Sequence, residues 1–181
     1  MTRARYLVVM AAGVLGIALS SIVPIAPILV WNASASVPVG FYTITRSEPV
    51  EITDLVAVMP PKPLADFMIE RGYIGRDVPL LKRVLALPGQ QVCRIGRDIL
   101  IDGIGVGSAL ARDRLGRELP VWQGCRPIAA GELFLMNPDA RDSLDGRYFG
   151  TLPASVVIGV ATSLYTDEDG DGRFVWCAPK R

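Results

Sequence analysis

The sequence predicts a mainly β domain behind one N-terminal membrane helix, and three observations carry that expectation. From Tyr6 to Trp31 the run YLVVMAAGVLGIALSSIVPIAPILVW contains no charged residue. The remainder is divided into short stretches rich in β-branched and aromatic residues, punctuated by Gly, Pro, Asn and Asp. Strands do not alternate with long helices, as they must where a parallel sheet is built. With 181 residues the chain has room for one domain and an anchor. The expected division is a cytoplasmic N-terminus and anchor over 1–31 and a domain over 32–181, with a small excursion at about 93–128.

The anchor comes first. A bilayer core takes about 20 apolar helical residues, and the charge-free run is long enough to span with some tilt. A cleavable signal peptide is the competing reading, because Ala18-Leu19-Ser20-Ser21 offers small residues. A secretory apolar region is usually only ~7 to 15 residues, which favours retention. Pro24 and Pro27 would weaken the last turns. Arg3 and Arg5 precede the run and the next basic residue is Arg46, so the positive-inside rule places the domain outside.

The domain then reads as follows. Residues 40–45 (GFYTIT) and 55–59 (LVAVM) are strand-like, and the PPKP at 60–63 ends the second, leaving Lys62 in an exposed loop. Leu64, Phe67 and Met68 have helical spacing, with Gly72 as the stop. Residues 78–87 (VPLLKRVLAL) form the most apolar strand, closed by Pro88-Gly89. Residues 98–107 predict a hairpin turning at Asp102-Gly103. The polar 112–127 stretch leaves the main sheet, and 132–137 and 155–165 are late strands.

Composition excludes much. There is no histidine, so Ser-His and Cys-His triads and imidazole zinc sites are ruled out. Nineteen basic residues balance 18 acidic ones without a lysine-rich stretch, which argues against nucleic acid as a partner. No cofactor is expected. Asp167, Asp169, Asp171 and Gly172 imitate the start of an EF-hand, but position twelve is Ala178 rather than glutamate; this is read as a solvated turn, with no metal. Of three cysteines, Cys93 and Cys125 flank a loop-rich stretch and could close a disulfide, leaving Cys177. Three buried thiols remain the alternative.

Without histidine, nucleophilic chemistry needs lysine or a carboxylate as base. Lys82 is the one lysine in an apolar run, since Lys62 lies among prolines and Lys180 is next to last. On a strand it shares a face with Leu80 and Val84 while Arg83 points away. Burial there would lower its pKa and give a neutral amine near neutral pH; a snorkelling edge lysine is the plain alternative. Ser36 lies just beyond the apolar run, followed by Pro38 and Gly40, which favour a fixed bend. Ser34 could add a hydroxyl to an oxyanion hole beside the Ser36 N–H. Val37, Val39 and Phe41 could line shallow pockets for small residues before the scissile bond.

The order SASVPVG (34–40), LLKRVLALPG (80–89) and DSLDGRYFG (142–150) resembles the type I signal peptidases, membrane-anchored Ser/Lys endopeptidases with an antiparallel β catalytic domain. The resemblance implies Ser36 as nucleophile, Lys82 as general base and Ser34 at the oxyanion hole. It implies Ser143 as the serine that positions the lysine, and Asp145 with Arg147 as a paired aspartate and arginine shaping the site. Two departures from the housekeeping enzymes, the Ser-x-Pro-x-Gly spacing and Asn137-Pro138 opening the third motif, resemble the conjugative-transfer branch, the TraF type. That branch implies an inner-membrane, single-pass protein with a periplasmic domain, membrane lipid around the anchor, and a pilin or other exported precursor as partner. It also allows cyclisation, with Asp145 as the matching aspartate. The rivals are a general secretory signal peptidase, a non-enzymatic subunit of a conjugation or secretion channel, and a self-cleaving Ser/Lys regulator of the LexA kind. The last would need a cytoplasmic DNA-binding domain where the anchor stands.

Overall fold

A computed structural model describes residues 3–22, 29–46 and 49–179. Helix α1 (Arg3–Ile22) exposes Leu7, Val8, Val9 and Val14. Among the described residues no helix is long and apolar enough to cross a membrane. The apolar run is not one element: Leu29, Val30 and Trp31 leave it to join β1 (Leu29–Asn32), which pairs antiparallel with β2 (Val39–Thr45). Pairing, rather than hydropathy, separates them. Pro24, Pro27 and Lys180 lie outside the described residues.

The main sheet is antiparallel and eight-stranded. Besides β1 and β2 it contains β3 (Leu55–Val58), β4 (Leu80–Ala86), β9 (Glu132–Leu135), β10 (Leu152–Pro153), β11 (Val157–Asp167) and β12 (Val175–Trp176). The order is β1-β2-β11-β3-β4-β9-β10, with β12 on β11. Between β3 and β4 lies α2 (Lys62–Glu70). Lys62 therefore opens a helix instead of sitting in a loop. Proline suits a first helical turn because the missing N–H has no intrahelical partner there, and Lys62 pairs with Asp66 one turn on, 2.7 Å away.

Period-two alternation assigns the sheet's faces. Val56, Val58, Leu80 and Val84 pack with Met68 of α2 in one cluster, while Ala57 and Leu81 pack with Tyr42, Ile44 and Ala161 in another. Gly40 is required where β2 passes β11: its φ is +151°, and a Cβ there would meet the Tyr165 carbonyl oxygen and Thr166 backbone.

The excursion is itself a sheet. β5 (Gln91–Ile95), β6 (Asp98–Ile101), β7 (Ile104–Ser108) and β8 (Gly124–Pro127) form four strands in the order β7-β6-β5-β8. Asp102 and Gly103 both have positive φ, which makes the two-residue hairpin turn. Cys93 stands directly opposite Cys125, and the two are joined as a disulfide. The bond ties exposed β8 to the sheet, and Cys177 is a free, exposed thiol. Between β9 and β10 lies a four-residue helical turn, α3 (Gly146–Phe149), capped by Asp145.

Candidate active site

The site has two halves. The first is the turn between β1 and β2, held by two buried side chains. Asn32 Nδ2 donates to the carbonyls of Ser34 (2.7 Å), Pro38 (3.0 Å) and Val37 (3.1 Å). Its Oδ1 accepts from the Ser34 N–H (3.1 Å) and the Ser34 hydroxyl (2.9 Å). Tyr42, fully buried, donates its hydroxyl to the Pro38 carbonyl at 2.7 Å. Burial, with the charge of Glu168, raises the Tyr42 pKa well above the usual phenol value, so it remains a neutral donor.

This scaffold presents Ser34 and Ser36 with their hydroxyls 3.0 Å apart. Ser34 has one hydroxyl proton, and Asn32 Oδ1 takes it. Ser36 is accordingly the donor between the two serines. Ser36 lines a cleft of about 550 Å³ together with Val37, Val39, Leu55, Arg83, Asn137 and Asp139. Phe41 packs edge-on to Trp31 at 4.7 Å and is not among the residues lining the cleft, contrary to expectation.

The second half is Lys82, 5% exposed, the third residue of β4. It faces the Leu80 and Val84 side, and its Nζ donates to the Ser143 hydroxyl at 2.6 Å. Burial lowers the lysine pKa to about 8; the Asp145 charge opposes that fall and the Arg147 charge adds to it.

Ser143 sits in a segment folded around an ion pair. Arg147 Nε and Nη2 meet the two Asp145 carboxylate oxygens at 2.9 and 2.8 Å, with both residues essentially inaccessible. The remaining guanidinium protons go to the carbonyls of Asn137, Ala140, Arg141 and Ser143. Asp145 also accepts the N–H groups of Asn137 and Arg147. Burial alone would lower the Arg147 pKa, but the hydrogen bonds and charge of Asp145 raise it overall. Buried charge survives only when so completely paired. Asp145 thus holds the turn and does not face the cleft.

The excursion braces the same turn. Arg94 of β5, itself buried, donates to the Arg147 carbonyl at 2.6 Å, and Trp122 Nε1 donates to the Gly146 carbonyl at 3.0 Å.

The structure therefore brings Lys82, Ser143, Asp145 and Arg147 together, and Ser34 with Ser36. Among the described residues no hydrogen bond joins Ser36 to Lys82, and the residues lining the cleft include Arg83 and not Lys82. Asn32, Tyr42 and Arg94 had no role in the sequence reading. An asparagine ahead of Ser-Ala-Ser signals an Asx turn, which is the one trace of Asn32 the sequence offered. Residues 167–172 form a turn in which the Asp167 carboxylate accepts the N–H groups of Asp171 and Gly172.

Comparison with known proteins gives the family. The family model described as "Signal peptidase, peptidase S26" matches residues 1–166. The chain belongs to the signal peptidase S26 family. Within that family it is a TraF-type protein. It is 37% identical over 147 residues to the conjugal transfer protein TraF of Agrobacterium fabrum (strain C58 / ATCC 33970), covering 75% of this chain and 81% of that one. It is 32% identical over 145 residues to a plasmid transfer protein TraF of Escherichia coli, with the same coverage. A signal peptidase I from Enterococcus faecalis is similar over 64% of this chain and 98% of its own, at 21% identity and a TM-score of 0.37, too slight a likeness to bear on function.

Proposed function

We propose that this chain is a membrane-anchored serine endopeptidase that trims exported precursors, with a conjugative pilin as its substrate. Ser36 is the nucleophile and Lys82 the general base. The observation that carries the assignment is the Lys82 amine, buried, hydrogen-bonded to Ser143 and lowered to about 8 in a chain without histidine. A neutral amine takes the Ser36 hydroxyl proton as the oxygen attacks the scissile carbonyl. The Ser34 hydroxyl, rotated so that its proton leaves Asn32 Oδ1, and the Ser36 N–H receive the oxyanion; Asn32 Oδ1 keeps the Ser34 N–H as a partner. The lysine ammonium then returns a proton to the leaving amine, and an acyl-enzyme at Ser36 remains. Water releases the acyl group; if the precursor's own N-terminal amine attacks instead, the product is a ring.

Ser36 Oγ must reach Lys82 Nζ for the first step. Catalytic hydrogen bonds often form fully only in the substrate complex. The half free to adjust is the exposed Ser34–Ser36 turn, because Lys82 is fixed in the sheet. The anchor is α1 with the apolar residues after it. An N-terminal span, together with a domain on the far side, holds cleft and scissile bond at one depth outside the membrane, which lowers the entropic cost of meeting. Arg3 and Arg5 before the run set that orientation, with the domain in the periplasm of a bacterial inner membrane. The disulfide suits that oxidising compartment.

The test is co-expression with a conjugative pilin precursor, read by intact mass, for wild type, Ser36→Ala and Lys82→Ala. Wild type should process the precursor, and both variants should leave it intact while remaining folded. A product lighter than the linear mature peptide by one water would add cyclisation. Normal processing by either variant would overturn the dyad and favour a channel subunit without catalysis.

A further inference from the structure

We infer that Asn137 is a positioning residue that joins the Lys82 strand to the segment carrying Ser143. The inference rests on the assignment of Lys82 as base. It is drawn from how the chain leaves β9.

β9 runs antiparallel to β4, with Val84 opposite Leu135. Continued by two residues, that register sets Asn137 opposite Lys82. The strand cannot continue, however. Pro138 has no N–H to offer a ladder, and the Asn137 backbone is already committed elsewhere. Its N–H goes to Asp145 Oδ2 at 3.1 Å, and its carbonyl receives Arg147 Nη2 at 3.2 Å.

The side chain takes over the pairing. Nδ2 donates to the Leu81 carbonyl at 3.1 Å, and Oδ1 accepts the Arg83 N–H at 3.0 Å. One carboxamide thus bonds the backbone on both sides of Lys82, as a peptide group of a neighbouring strand would. Asn137 is 2% exposed, so neither group has water as a substitute partner. Few side chains can replace it. Aspartate lacks the donor and would add a buried negative charge beside Asp145. Leucine has the shape but leaves the Leu81 carbonyl and the Arg83 N–H unpaired.

The consequence is mechanical. The Cα of Asn137 belongs to the segment that ends in Ser143, Asp145 and Arg147, while its carboxamide grips β4 at Lys82. The 2.6 Å bond between Lys82 and Ser143 spans 61 residues of sequence, and Asn137 fixes the two backbones from which it is made. The charged groups acting on Lys82, Asp145 and Arg147, come from that same segment. Loosening Asn137 therefore changes both the aim of the amine and its surroundings.

The experiment compares the purified full chain in detergent with Asn137→Leu and Lys82→Ala. The substrate is an internally quenched peptide with alanines before the scissile bond. kcat and KM are measured across pH, alongside thermal melting. Asn137→Leu is expected to lower kcat about tenfold to a hundredfold, with KM little changed. The acid limb of its kcat/KM profile should move up towards the pH of a free lysine. If Asn137→Leu does not fold, Asn137→Ser, too short to bond both backbone groups, should show the same changes. Loss of activity in Lys82→Ala with wild-type kcat and an unmoved limb in the folded Asn137 variant would overturn this inference alone. Retained activity in Lys82→Ala would overturn the base assignment, and this inference with it.

Discussion

The two halves of the site solve opposite problems. The Ser34–Ser36 turn is half in solvent and is shaped by one asparagine and one tyrosine hydroxyl. Lys82 is out of solvent, with strands or strand-like bonds on both sides and a sealed ion pair behind its Ser143 partner. A nucleophile that must meet a polypeptide cannot be buried. A lysine that must be neutral near working pH cannot be exposed, since desolvation is what lowers its pKa. The difference teaches where each kind of damage should fall: breaking the buried ion pair behind Lys82 should cost folding, removing the Lys82 amine itself should cost activity while relieving a burial penalty, and changes around Ser36 should cost turnover.

The largest effect should come from the ion pair. Asp145→Asn leaves the Arg147 guanidinium buried without its counter-charge, and breaking such a pair costs about 3–5 kcal/mol. A sharply lower Tm is expected; an unchanged Tm would mean the Lys82 half is not held as described.

Next comes Lys82→Met. Below pH 8 the native state must keep a buried ammonium that the unfolded chain carries in water. Stability is therefore lowest there and rises with pH from about 8 until the unfolded lysine also deprotonates near its ordinary value. The variant should be inactive yet more stable than wild type below pH 8, by up to about 3 kcal/mol at 1.4 kcal/mol per pKa unit. Denaturant melts at several pH values should show the gap closing above 8. A gap that widens with pH would contradict the assigned burial.

Asn32→Ala should be milder for the fold. The turn is exposed enough for water to satisfy some of the freed groups, so about 1–2 kcal/mol is expected. kcat should nevertheless fall by about tenfold or more, because Ser34 and Ser36 lose their common support. A large fall in Tm with normal kcat per folded molecule would reverse the contrast between the halves.

Local chemistry was legible in the sequence, and long-range pairing was not. Lys82 between Leu80 and Val84 announced a shared face by its period, and Asp102-Gly103 announced a turn by its conformational tolerance. The expected strands at 40–45, 55–59 and 78–87 correspond to β2, β3 and β4 with ends shifted by at most two residues. The end of the apolar run was hidden, because Leu29–Trp31 is as hydrophobic as a membrane segment and only its pairing with β2 marks it as sheet. The excursion's second sheet was hidden for the same reason. Cys93 and Cys125 were one pairing of three until the β5–β8 register set them opposite each other. Lys62 was misplaced because its flanking prolines read as a break, although proline also begins helices. Asn32 acts on its own turn, and only an Asx-turn signal marks it; the role of Asn137 depends on backbone groups more than 50 residues away, which no spacing encodes.

The central claim is that a desolvated Lys82 serves as the base. The most direct measurement is the pH dependence of kcat/KM for the purified wild-type chain in detergent on the quenched alanine peptide. Activity should rise with pH as the ammonium loses its proton, with a half-maximum near 8. A rate independent of pH from about 6 to 9, or one that begins to rise only near the ordinary lysine value of about 10.4, would contradict the account.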